Sequence, residues 1–165
     1  MKTFFSKDLV NKKIFVTREF AAPIELAWKA WTDKKILDEW WAPKPWKTET
    51  KEMNLKDGGH WLYSMNGPDG EKHWCRCDFQ KVVPIKYYMG TDSFCDENGN
   101  KIPEPPGMEW KVEFQKTSGG TKVLVEITFA SEKDLQTIVE MGFQEGFSSA
   151  HNNLDELLAK AEQTV

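Results

Sequence analysis

From Ser131 to its C-terminus the chain carries no proline and no cluster of turn-forming residues. That long uninterrupted stretch constrains the fold more than any other feature. Ser131 and Asp134 have the spacing of a capping box with Asp in place of Glu. A helix is therefore expected from Glu132 to Gln163, roughly 30 residues or 45 Å long. Projected at 100° per residue, Leu135, Val139, Phe143, Gly146, Ala150, Leu154 and Leu157 fall on one stripe. Gly142 and Asn153 lie on one edge of the stripe and Phe147 on the other, while Glu140, Gln144, Ser148, His151, Asp155 and Glu162 occupy the wet side. A glycine inside a helix costs about 0.8–1 kcal/mol relative to alanine, so Gly142 and Gly146 need a reason. With Ala150 they form a shallow groove in a face that is bulky at both ends. The groove admits three readings: close approach of another backbone, filling by aromatic rings, or room for a small molecule.

The segments before this helix alternate with period two. Ile14, Val16, Arg18 and Phe20 describe a first strand, preceded by residues 1–12, which show no clear period and are expected to form a flexible, loose leader. Pro23 suits the first turn of a helix bearing Ile24, Ala27, Trp28 and Trp31. A second short helix with Ile36, Leu37, Trp40 and Trp41 ends before Pro43 and Pro45. Strands are then expected over 46–55, 60–65, 72–83, 87–95, 108–115 and 123–129, separated by turns such as Gly67-Pro68-Asp69-Gly70 and Gly119-Gly120. Residues 96–107 form a polar, proline-containing loop long enough to act as a lid or a contact surface. The expectation is an α+β chain with one domain over residues 13–163.

Charge and composition narrow the function. The chain has 165 residues, with 22 Lys plus Arg against 26 Asp plus Glu, a net charge of −4. No dense basic run exists to release counterions from nucleic acid, and none is long enough to form a membrane patch. No apolar run approaches the roughly 20 residues of a membrane span, and no secretory h-region is present. Three cysteines make no paired framework, which favours a reducing, cytoplasmic setting. Eight Trp, ten Phe and three Tyr imply that much of the buried surface is flat and aromatic.

The order of elements, together with several short motifs, resembles a known family. The motifs are E-F-x-A-P-x-E-x-x-W-x-A-W-T-D from Glu19 to Asp33, L-D-E-W-W-A-P from Leu37 to Pro43, Gly58-Gly59, the run from Met65 to Gly70, Val83-Pro84, Phe94-x-Asp96-Glu97-x-Gly99, Gly119-Gly120-Thr121, Met141-Gly142 and Glu145-Gly146. Together they resemble the activator of heat-shock protein 90 ATPase homologues, in the START-related (SRPBCC) superfamily. The resemblance implies a helix-grip fold: a curved antiparallel sheet of six or seven strands around a long C-terminal helix, with two short helices after the first strand. It also implies an apolar or aromatic small molecule held between sheet and helix. A cyclase- or lyase-type enzyme using the same space, or a chaperone-associated interaction module, are its alternatives. Either a monomer or a homodimer is compatible with it.

The residues expected to line such a cavity are Trp41, Trp61, Tyr63, Met65, Tyr88, Trp110, Val139, Gly142, Phe143, Gly146, Phe147 and Asn153. Of the adjacent Trp40 and Trp41, set about 100° apart on a helix, one is expected to close the core and the other to face the entrance. Asn153, His60, Tyr63 and Tyr88 are the polar candidates for acid–base work. His73, Cys75 and Cys77 share a strand face, but alternate Cα atoms lie about 6.6 Å apart, too far for easy sharing of a metal. No metal or cofactor is expected, since neither a GxxxxGK[ST] nor a GxGxxG element occurs. A Cys75–His60 pair is the one conceivable nucleophile and base, and nothing in the sequence supplies an oxyanion element beside it.

Overall fold

In the computed structural model, which describes residues 2–163, the alternating segments become eight strands and the helical ones four helices. The strands are β1 (Phe4–Asp8), β2 (Lys13–Phe20), β3 (Lys47–Met53), β4 (His60–Asn66), β5 (Lys72–Val83), β6 (Tyr87–Cys95), β7 (Met108–Thr117) and β8 (Gly120–Thr128). Helices α1 (Ile24–Thr32) and α2 (Lys34–Trp40) follow β2, and α3 (Glu132–Glu140) and α4 (Phe143–Gln163) end the chain. One antiparallel sheet runs in the order β1-β2-β8-β7-β6-β5-β4-β3. With α4 against its inner face, this is the expected helix-grip architecture with eight strands in the sheet.

Period two decides the two faces of the sheet. The buried set Ile14, Val16 and Phe20 on β2, Val112 and Phe114 on β7, and Val123, Val125 and Ile127 on β8 all point inward. Trp31 sits at the centre of this core with 2 % of its surface exposed. It meets Phe20, Trp40, Phe114 and Phe147 edge to face, with ring centroids 4.9–6.4 Å apart. Such pairs contribute about 0.5–1.5 kcal/mol each beyond area burial. Trp28 packs α1 on the sheet in the same way, against Tyr88 and Phe114.

Two expectations are corrected. The first concerns residues 1–12, which were expected to form a loose leader: residues 4–8 are strand β1, in register with β2 from Phe4 opposite Thr17 to Asp8 opposite Lys13. An edge strand needs only backbone hydrogen bonds on one side, so it forms without the apolar alternation that marks a core strand. Asp8 closes the hairpin by accepting from the backbone and side-chain amides of Asn11, and Phe5 packs edge to face on Phe143 at 6.4 Å. Thr3, just ahead of β1, accepts a hydrogen bond from Arg18 Nη1 at 2.8 Å.

The second concerns the terminal helix, which is two helices. Gly142 has φ +90°, the left-handed conformation in which glycine ends a helix. Its N–H donates to Val139 O, and its own carbonyl accepts from Gly146 N–H to open α4. The break shifts the helical phase. The buried residues of this region are Leu135 and Ile138 on α3 and Phe147, Ala150, His151, Asn153, Leu154 and Leu158 on α4, while Val139, Phe143 and Leu157 are half-buried. His151, expected on the wet side, is 1 % exposed. Ser131 does cap α3, accepting from Asp134 N–H.

Candidate functional site

A pocket opens where the α3–α4 break crosses the inner face of β4–β7. Its floor is built from inward positions on four neighbouring strands: Tyr63 and Met65 on β4, Cys75 on β5, Asp92 and Phe94 on β6, and Met108 and Trp110 on β7. These are register neighbours, Tyr63 opposite Cys75, Cys75 opposite Phe94 and Asp92 opposite Met108. Trp41 and Pro43, just beyond α2, form one wall. The roof is Ile138, Met141, Gly142, Phe143, Gly146 and Phe147. The cavity volume is about 210 Å³.

Trp40 and Trp41 divide the two expected roles. Trp40 is fully buried and its indole N–H donates to Ala30 O at 2.9 Å. Trp41 is half-buried, faces the pocket, and donates to the Tyr63 hydroxyl at 3.2 Å. Tyr63 in turn stacks on Trp61 with centroids 3.9 Å apart. The wall is therefore held by a hydrogen bond as well as by packing.

The two glycines of the roof act differently. Gly142 is required by its backbone conformation, whatever the space around it. Gly146 lies within α4, where a Cβ would meet nothing nearer than Pro43 Cγ at 3.8 Å. At neither glycine does another backbone come within 4 Å of the Cβ position, and Gly146 borders the pocket above its floor.

Eight expected lining residues come together here: Trp41, Tyr63, Met65, Trp110, Gly142, Phe143, Gly146 and Phe147. Trp61 and Tyr88 lie deeper, around a cleft of about 20 Å³ that shares Trp41, Asp92 and Trp110 with the main pocket. Val139 does not line the pocket; it is half-buried on α3 and packs against the hydrophobic core. Asn153 does not either. Its side-chain amide donates to Ala42 O at 3.0 Å and Trp40 O at 3.5 Å, tying α4 to the end of α2. His60 points to the other face of β4 and pairs with Glu52 at 2.8 Å, far from any arrangement with Cys75. Burial pushes the Cys75 thiol well up, so it stays protonated and is a poor nucleophile. His73 stacks on Trp46 at 5.5 Å. Among the described residues no three His, Cys, Asp or Glu side chains gather to hold a metal ion.

Sequence reasoning missed Asp92, Cys75, Phe94, Met108, Ile138, Met141 and Pro43 as lining residues. Asp92 is the one with chemical consequence. Tyr88, Gly90, Asp92 and Phe94 share the inward face of β6, so an acid at an otherwise apolar parity was the available signal. The Asp92 carboxyl has no hydrogen bond or ion pair among the described residues. Burial, and then the negative charge of Asp78, pushes its pKa up to about 7. Burial also raises the phenols of Tyr63 and Tyr88 well above their usual value. The pocket is thus an aromatic box with neutral polar tips and one carboxyl whose pKa is raised to about 7.

The mouth continues into a shallower groove of about 550 Å³, which shares Pro43, Met65, Cys75, Phe94 and Met141 and adds Trp46, Ile102 and Pro105. The loop over residues 96–107 is strapped to the outer face of the sheet at its start. Lys51 Nζ donates to Glu97 O, Arg76 Nη1 donates to Gly99 O, and Lys101 pairs with Asp78. Only its second half reaches the groove.

The fold has relatives. Residues 21–159 match the family described as Activator of Hsp90 ATPase homolog 1-like protein. The crystal structure of protein Ms6760 from Mycobacterium smegmatis is similar at TM-score 0.88 and 33 % identity, over 96 % of this chain and 97 % of that one. A solution structure of a protein from Arthrobacter aurescens is similar at TM-score 0.89 and 28 % identity, covering 95 % of this chain and 91 % of that one. A Silicibacter pomeroyi AHSA1 protein shares the fold at TM-score 0.73 and 16 % identity, over 90 % and 99 % of the two chains. Among curated proteins none matches this chain. No helix among the described residues is long and apolar enough to cross a membrane. With the family's pattern matched over most of its length and its elements in the same order, this chain belongs to the activator of Hsp90 ATPase homolog 1-like family of the SRPBCC superfamily.

Proposed function

We propose that the chain is a small-molecule-binding module whose pocket, between the sheet and the α3–α4 break, holds an apolar or aromatic ligand. The observation that carries this reading is the aromatic pocket of about 210 Å³ beneath Gly146. An apolar cavity of about 150 Å³ is enough for benzene, so this one suits a single ring with a short substituent. The groove beyond Met65 and Phe94 leaves a path for a longer tail. Desolvating one ring of about 100 Å² contributes roughly 2.5 kcal/mol, and edge-to-face contacts with Trp41, Trp110 and Phe147 add to it.

The test is titration of tryptophan fluorescence with a small aromatic such as propylbenzene, kept below its solubility limit, on the wild type and on Gly146→Phe. The wild type is expected to change its emission saturably and the folded variant to show no change. An unaltered titration in Gly146→Phe would place binding elsewhere.

A second reading, a cyclase- or lyase-type enzyme in the same pocket, draws on Asp92. A carboxyl titrating near neutrality can accept and return a proton beside a bound molecule. Native mass spectrometry of freshly purified protein separates the two. One unaltered guest carried equally by wild type and Asp92→Asn supports a carrier. A guest in the variant that the wild type has converted to a second mass supports the enzyme.

A further inference from the structure

An unpaired carboxylate facing aromatic walls is costly unless something completes it. Asp92 is placed by the register of β6, opposite Cys77 on β5 and Met108 on β7, so its side chain projects from the sheet into the pocket and the cleft behind it. No lysine, arginine or histidine lines either space. The rings around it, Trp41, Trp110, Phe143 and Phe147, present the π-surfaces that attract organic cations. The pocket therefore supplies both elements of an ammonium site without a cation of its own, the basic side chains Lys72 and His73 lining only the adjoining groove.

From this geometry we infer that the ligand of the pocket is an amine: a small aromatic or apolar molecule carrying one ammonium group, which pairs with the Asp92 carboxylate while its ring lies among Trp41, Trp110 and Phe147. The inference rests on the binding reading above and narrows it to a chemical class. A neutral hydrocarbon would leave the carboxylate dehydrated without compensation, and a carboxylic acid would meet it as a like charge. An ammonium supplies both the hydrogen-bond donors and the charge.

The pairing has a pH signature. An alkylammonium, like the lysine side chain, stays protonated to about pH 10, so the change between pH 5 and 8 belongs to the protein. The groups facing Asp92 are Tyr63 from β4, Cys75 and Cys77 from β5, and Tyr88 on its own strand. Burial holds the phenols of Tyr63 and Tyr88 and both thiols in their neutral forms across that window. Asp78, held by Arg76 and Lys101, lies on the other side of the sheet. The lining residues of β7 and α4 bring no charge. Asp92 is thus the group that ionises as pH rises through about 7.

The experiment compares 2-phenylethylamine with propylbenzene, which has the same number of heavy atoms and no charge, by calorimetry or tryptophan fluorescence. On the wild type at pH 8 the amine is expected to bind about 10-fold more tightly, with the preference shrinking toward parity by pH 5.5. Asp92→Asn is expected to bind the two probes alike at both pH values. The pH series on the wild type needs no variant, so a folding defect in Asp92→Asn would not rescue the claim. Equal affinities at pH 8, or a preference that survives in a folded Asp92→Asn, would overturn the amine assignment and leave the apolar-pocket reading standing. Failure of both probes to bind the wild type would overturn both.

Discussion

Asp155 reaches from α4 to Arg18 on β2, forming an ion pair with a guanidinium that is 2 % exposed. Arg18 also donates to Thr3 and sits over the Phe20 ring, and the Thr3 hydroxyl is 2.9 Å from His151 Nδ1. Removing one partner of a buried pair leaves the other dehydrated, at a cost of 3–5 kcal/mol when both are sealed from water. Because the Asp155 side chain is about a third exposed, Asp155→Ala is expected to cost about 2–3 kcal/mol in urea denaturation. His151 and Asp92 give opposite pH dependences. Burial and the Arg18 charge lower the His151 pKa from 6.5 to about 3, so between those values the unfolded chain binds the extra proton. Its contribution to stability is present above pH 6.5 and is lost as pH falls toward 3, and His151→Phe should flatten that acid limb. The Asp92 pKa is raised from 3.8 to about 7, so the folded chain holds the proton and stability declines as pH rises through that window. Asp92→Asn should therefore raise the denaturation midpoint more at pH 8 than at pH 5. Neither residue was legible from type alone: helical phase put His151 on the wrong side, and the half-buried Asp92 sits among apolar neighbours whose parity only the register of β6 fixes.

At the scale of elements the two roof glycines separate conformation from space. Gly142 is left-handed, so Gly142→Ala is expected to destabilise by about 1–2 kcal/mol. Gly146 is helical and a Cβ there would make only an ordinary van der Waals contact with Pro43, so Gly146→Ala is expected to stabilise by about 0.5–1 kcal/mol while shrinking the pocket. Thermal melts of the two variants check the opposite signs. The sequence marked both residues as unusual in a helix. It did not separate them, because a glycine that ends a helix and one that merely lacks a side chain look alike when the flanking residues keep the same period. Strand β1 was invisible for a related reason: an edge strand is held by backbone pairing with β2, which leaves no apolar period to read.

For the molecule as a whole, strong periodicity carried across. The bounds of β5 and β6 coincide with the alternating runs between Gly70, Pro84 and the 96–107 loop, and the α+β order of elements follows. What the pattern lacked was depth. It could place Trp41, Tyr63 and Trp110 on inward faces, but which inward residues meet around one space depends on inter-strand register and on the kink at Gly142. The central claim is that the space under Gly146 admits a guest. The most direct measurement follows the indole N–H resonances of the eight tryptophans as 2-phenylethylamine is added at pH 8. Saturable shifts are expected for Trp41 and Trp110, with little change for Trp46 and Trp74 outside the pocket and loss of the response in Gly146→Phe. Tryptophan resonances that stay put at saturating amine, or that move equally in Gly146→Phe, would contradict that claim.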